Sequence, residues 1–167
     1  MKAESPGPIV SKLVPRASQS SKILYAIYFV LTVVMIVCLL LAGMPPYDTL
    51  VNSFAVAGTG GFSVLNTSIG GYQNPVFEVI LGIFMVVFSI NFSLYFLILC
   101  GKWKQALKSD ELRFFAGVVT ASVLLIAVNI SSMYGSFLVS LRHAFFQVTT
   151  IISTTGFSSV DFDQWPE

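Results

Sequence analysis

Charge is what this sequence has least of. Only 10% of its 167 residues are Asp, Glu, Lys or Arg, while 55% are hydrophobic, and a soluble domain keeps roughly a quarter of its residues charged. Such a chain needs lipid around it. Net charge is +1, so no electrostatic footprint for a nucleic acid exists. The two cysteines, Cys38 and Cys100, both lie in apolar runs, where a lone thiol behaves as a small hydrophobe. The single histidine, His143, has no Cys or second His nearby to make a metal site. No two titratable groups are placed to share a proton or activate a nucleophile, which argues against an enzyme. GTGG at Gly58 to Gly61 is no dinucleotide loop, because no strand precedes it and no third glycine completes it.

Basic residues are absent over one long interval. Between Lys22 and Lys102 there is no Lys or Arg, whereas Lys2, Lys12, Arg16 and Lys22 precede it and Lys102, Lys104, Lys108 and Arg113 follow. Under the positive-inside rule both basic stretches are cytoplasmic. The polar, proline-rich start, Met1 to Pro8, has no apolar core after a short basic region and is not a secretory signal.

What fills the interval is apolar. Ile23 to Gly43 carries no charge, and at 1.5 Å per residue it reaches about 30 Å, the thickness of a bilayer core. Val76 to Cys100, interrupted only by Glu78 and Asn91, is long enough to cross as a second helix, and Phe114 to Ile130, extendable through Tyr134, as a third. Two further stretches, Tyr47 to Ala57 and Phe137 to Ile152, are too short to cross and read as half-helices toward the outer side. The parts are a cytoplasmic segment 1–22, a helix, pore loop, helix repeat 23–100, a cytoplasmic linker 101–113 and an incomplete repeat 114–167. The fold class is an all-α membrane protein of helix–pore loop–helix repeats, one complete and one incomplete.

The word repeat rests on a self-match. A shift of about 95 residues places TGGFS (Thr59 to Ser63) on TTGFS (Thr154 to Ser158), each after a spanning helix and a half-helix. Non-helical backbone at membrane depth is tolerated only where protein buries it or where it lines a water-filled path. A Thr/Gly/Ser turn suits the path: its carbonyls can replace the water shell of a cation. Glycine permits the turn, and the C-terminal end of the half-helix adds partial negative charge. Neither turn holds an acidic residue, which favours carbonyls over a ring of carboxylates.

These motifs carry a family resemblance. KAESPGP and LVPR near the start, FAVAGTGGFS with SIGGY after it, INFSLYF, and TTIISTTGFSSVDFDQWP at the end together resemble the Trk/Ktr/HKT superfamily of potassium transporters, closest to TrkH-type membrane subunits. The resemblance covers essentially the whole chain. It implies a four-repeat potassium-channel-like fold, of which this chain holds the second repeat and part of the third. It implies K+ as the transported ion, with no cofactor. It also assigns the filter to Thr59, Gly60, Gly61 and Phe62 in one repeat and to Thr154, Thr155, Gly156 and Phe157 in the next. The implied partners are the lipid bilayer of the bacterial cytoplasmic membrane, the remaining repeats of the same subunit, a second subunit in a homodimer, and a cytosolic nucleotide-binding regulatory subunit of TrkA type.

Other polar residues have plainer expected roles. Ser63, Ser158 and Ser159 satisfy loop backbone groups, with Thr59 and Thr154 the better candidates to face the ion. Glu78 is favoured by the helix dipole and reaches the interface. Asn91 bonds across to another helix. Arg142 and His143 begin the second half-helix at the outer interface, paired with Asp161 or Asp163. The rival readings are a broken-helix secondary transporter of a small solute, which would call for inverted repeats, and a membrane-anchored assembly segment without a site. A chain with only two filter turns should not conduct alone. Single-channel recording from the 167 residues in a planar bilayer is expected to show no K+ current, and a selective current would refute the incomplete-filter reading.

Overall fold

The computed structural model describes residues 17–166; residues 1–16, which make up most of the expected cytoplasmic segment 1–22, lie outside it. Among the described residues all regular structure is helical. The uncharged run forms α1 (Ala17–Leu41), six residues earlier at its start than expected, and Gly43 turns the chain at φ 92°. Pro46 opens α2 (Pro46–Ala57), a position where its missing N–H costs nothing. A 3-10 turn, Ser68–Tyr72, leads into α3 (Pro75–Ser89), whose first turn is capped by Asn74 Oδ1 accepting from Val76 N–H at 2.9 Å. Then follow α4 (Phe92–Leu99), α5 (Trp103–Leu107), α6 (Asp110–Asn129), α7 (Ser131–Tyr134) and α8 (Phe137–Ile152), with a last 3-10 turn at Phe162–Gln164.

The second spanning helix is not continuous. Expected from Val76 to Cys100, it is broken at Ile90 and Asn91, and α3 and α4 meet at 87°. No proline is involved. Ile90 is extended (ψ 141°), the Ser89 hydroxyl donates back to the Met85 carbonyl (2.7 Å), and Asn91 Oδ1 caps α4 by accepting from Ser93 N–H (2.9 Å). Asn91 does reach another helix, donating through Nδ2 to the Glu111 carboxylate of α6 at 3.3 and 3.4 Å, but as an exposed cap at a helix start. Ser21–Leu41 and Asp110–Asn129 are each long and apolar enough to cross a membrane, and α3 with α4 would be a third span only as a bent pair.

The two short helices take the middle of the packing. α2 lies against α1 and α3, while α8 is held between α3 and α6. One core joins Met35 and Leu39 of α1, Val56 of α2, and Leu81 and Met85 of α3 to Phe146 of α8 and Phe157 beyond it. A second core packs Val119, Val123 and Ala127 of α6 against Ala144 and Val148 of α8. The opposite faces of α1 and α6 expose Tyr25, Phe29, Leu125 and Val128, the apolar surface that lipid covers.

The break depends on one cap. Asn91→Ala should lower stability by about 1 kcal/mol. Asn91→Asp keeps the cap but sets a second carboxylate against Glu111, so its loss should shrink as salt is raised whereas the alanine loss should not. Thermal unfolding in detergent at two salt concentrations reads both.

Candidate functional site

Both half-helices end in the same way, 95 residues apart. At the end of α2, Gly58 N–H donates to the Phe54 carbonyl (2.8 Å) and Thr59 N–H to Val56 (3.1 Å). At the end of α8, Ser153 N–H donates to Thr149 and Thr154 N–H to Ile151, both at 3.0 Å. Thr59 and Thr154 then take left-handed angles (φ 51° and 60°), as do Gly61 and Gly156 (φ 67° and 84°). Glycine is the usual residue just past a helix end in this conformation. A β-branched residue there costs about 1–3 kcal/mol, the kind of strain that collects at functional sites. Finding the same outlier twice, at matched positions, marks these turns rather than any side-chain cluster as the candidate site.

One difference between the copies has a local cause. Ser153 stands where the first copy has Gly58, and its Oγ accepts from Thr155 N–H (3.3 Å) and bonds Thr155 Oγ1 (2.8 Å). Gly58 offers no hydroxyl, so Gly60 N–H donates instead to the Ala55 carbonyl (2.7 Å). In the second copy it is Gly156 N–H that reaches back, to Thr150 (3.3 Å). The N–H groups of Thr59, Gly60, Thr154, Thr155 and Gly156 are thus turned inward onto their own helix ends, while those of Gly61, Phe62 and Phe157 bond no described residue. The carbonyls of Thr59, Gly60, Gly61, Phe62, Thr154, Thr155, Gly156 and Phe157 accept no hydrogen bond from any described residue. Five of the eight N–H groups are used and none of the eight oxygens, an imbalance that favours a cation over an anion.

The two turns touch. A Cβ on Gly61 would run into the carbonyl oxygen of Thr155, so the close approach admits only glycine. Beyond the turns, Gly70 N–H donates to the Ser158 carbonyl and Ser158 N–H to Ser68 Oγ, each at 3.1 Å. Thr59, Thr154 and Gly156 are exposed and Thr155 is buried. The two phenylalanines differ: Phe62 is 78% exposed, whereas Phe157 at 1% fills the first core. Only the backbone of Phe157 is therefore available to an ion.

The serines divide. Ser158 satisfies loop backbone as expected, donating to the Val160 carbonyl (2.9 Å), but the buried hydroxyls of Ser63 and Ser159 make no such bond. Sequence reasoning missed Ser68, and also a network at the head of α2: Tyr72 donates to Asp48 Oδ2 (2.9 Å), and Asn52 Nδ2 donates to the Tyr72 oxygen (3.2 Å). Burial, with Asp48 adding to it, raises the Tyr72 phenol above its usual value and keeps it a donor. The 95-residue shift sets Asn52 on Gln147, and both are buried amides with an unpaired carbonyl oxygen. That match was present in the sequence.

Two expectations about charge are corrected. Arg142 and His143 lie inside α8, not at its start, and Arg142 Nε pairs with Glu78 Oε2 (3.1 Å) rather than with Asp161 or Asp163. Asp161 instead caps the last 3-10 turn through Asp163 N–H and bonds Gln164. Glu78 is buried against α8 instead of reaching the interface, because α8 packs directly over the first turn of α3.

Fold and site together define a helical membrane protein with a duplicated half-helix turn. The chain belongs to the TrkH family of cation transport proteins, which its residues 3–135 match. It is similar to the Trk system potassium uptake protein TrkH of Salmonella typhimurium (35% identical over 99% of this chain and 35% of the relative). It is also similar to TrkG of Escherichia coli K12 (30% identical over 98% of this chain and 34% of the relative). Among solved structures, the potassium transporter TrkH from Vibrio parahaemolyticus superposes with a TM-score of 0.84 at 30% identity, over 92% of this chain and 34% of that one. The chain spans about a third of the length of these relatives. Membership places it in the cytoplasmic membrane of a bacterial cell, in keeping with its apolar helices.

The contact between turns makes the two glycines unequal. A left-handed alanine costs about 1–2 kcal/mol at either site, and Gly61→Ala should lose roughly 1–3 kcal/mol more by pressing on Thr155. Gly156 meets no described atom within 4 Å of its missing Cβ. Differential scanning of purified variants should rank Gly61→Ala below Gly156→Ala; equal melting would mean that the turns are not in contact.

Proposed function

We propose that this chain serves as part of a longer subunit that carries K+ across the bacterial cytoplasmic membrane. In this reading the carbonyls of Thr59, Gly60, Gly61 and Phe62, with those of Thr154, Thr155, Gly156 and Phe157, form two sides of its ion path. The observation that carries the reading is the set of eight unbonded carbonyls at two touching turns, where five of the eight N–H groups are bonded back to their own helix ends. A K+ ion that sheds water needs several oxygens at once, and turns held by their donors present oxygens without reorganising. The C-terminal ends of α2 and α8 add partial negative charge at the same place. Left-handed angles at the first and third residue of each turn, but not the second, support a shared facing of successive carbonyls.

The relatives' names supply the ion: they are potassium uptake proteins. K+ is cargo in this proposal, and no cofactor is required. Further repeats of the same polypeptide would complete the path, a second subunit would form a homodimer, and a cytosolic nucleotide-binding subunit of TrkA type would regulate it.

Proteoliposomes holding the full-length subunit should take up Rb+ in a manner inhibited by K+ and resistant to Na+. Replacing both turn glycines (Gly61→Ser with Gly156→Ser) should cut uptake or let Na+ compete several-fold better. Uptake unchanged by both replacements, in protein shown to be folded, would return the glycines to a packing role.

A further inference from the structure

The buried ion pair between α3 and α8 has no place in the proposed ion path. Glu78 sits in the first turn of α3 and Arg142 in the second turn of α8, on the two sides of the boundary between the repeats. Their side chains are 6% and 25% exposed, and Arg142 Nε lies 3.1 Å from Glu78 Oε2. Arg142 Nη2 also lies 3.1 Å from His143 Nε2; the guanidinium can only donate, so that imidazole nitrogen accepts and its proton is on Nδ1. Nδ1 then faces the same Glu78 oxygen at 3.9 Å, while the ring stacks on Tyr134 at 4.8 Å. The three groups form one cluster spanning two repeats.

Stability is a poor reason to keep it. Removing two charges from water costs as much as their attraction returns, so apolar residues of similar size would hold the helices as well. The pair is also not well aligned: Arg142 Nε, Glu78 Oε2 and His143 Nδ1 find no properly directed hydrogen bond. What a buried pair does supply is register, because any other height or rotation of one helix on the other leaves a charge without its partner. A second contact one turn further along makes the same point by shape. Gly82, four residues after Glu78, admits the ring of Phe145, three residues after Arg142, so closely that a Cβ there would lie 2.6 Å from Phe145 Cε1. Charge and shape thus fix the same two helix faces in one register.

We propose that Glu78 and Arg142 are positioning residues for ion selectivity. Their pair sets the height and rotation of α8 on α3, and the helix passes that setting without a linker into Ser153 and the Thr154 to Phe157 turn. The inference rests on the reading of these turns as the cation path. The Thr155 carbonyl is packed on Gly61 of the other repeat, so a turn or slide of α8 changes the spacing of oxygens contributed by both copies. A filter discriminates by small differences in that spacing. Neither side chain touches the ion.

The test uses the full-length subunit in proteoliposomes, with membrane-inserted protein quantified for each variant. Rb+ uptake that K+ inhibits in the native protein, and that Gly61→Ser with Gly156→Ser alters, establishes the parent reading independently. Glu78→Gln and Arg142→Gln should each let Na+ compete for Rb+ uptake several-fold better, and the exchange of charges, Glu78→Arg with Arg142→Glu, should restore most of the native discrimination. Native discrimination in both single variants, or no rescue by the exchange in protein that inserts normally, would overturn the proposal. Should the single variants fail to insert, Gly82→Ala decides, since it leaves both charges in place and presses on Phe145. It should loosen discrimination, with recovery when Phe145→Leu makes room, whereas native discrimination in Gly82→Ala would overturn the proposal as well.

Discussion

A peptide group that leaves a helix inside a membrane must find a partner there, since lipid offers none. α2 and α8 both stop after too few residues to cross, and each solves the problem by folding its next N–H groups back onto its last carbonyls. The solution satisfies the first donors of each turn and leaves every acceptor. Everything around the turns follows from that imbalance. α1 and α3 pack on α2, α3 and α6 pack on α8, Phe157 fills the first core behind one turn, and the Ser158 and Gly70 contact ties the segments that leave them.

The limits of the two half-helices and the duplicated turn were legible because they depend on local chemistry. Too few charges, uncharged runs of known length, and TGGFS recurring as TTGFS require no knowledge of which helix packs on which. The break at Asn91 was hidden for the opposite reason. Apolar residues on both sides satisfy lipid equally well straight or bent, and the groups that hold the bend, the Ser89 hydroxyl and the Asn91 cap with its bond to Glu111, read in sequence as ordinary polar interruptions of an apolar run. Tertiary packing likewise decided the fate of Glu78, whose partner lies in the next repeat, and of the two phenylalanines, which share a motif position but not an environment.

Phe146 and Phe157 carry the second repeat into the core of the first, so the copies do not form independent units. Apolar packing of this kind is tolerant of small slides, because one methyl group replaces another at little cost. Directional contacts are not tolerant. The close approaches of Gly61 to Thr155 and of Gly70 to Ser159 admit no side chain at all, and they confine the boundary to a narrow range of positions that hydrophobic burial alone would leave open.

Ser153 and Gly58 occupy matched places yet hold their turns by different hydrogen bonds. In an assembly of identical subunits a mutation at such a place would appear in every copy at once. Here the copies share one polypeptide, so a single nucleotide change alters one turn and spares the other. Duplication within a gene therefore converts an all-or-none adjustment into a graded one.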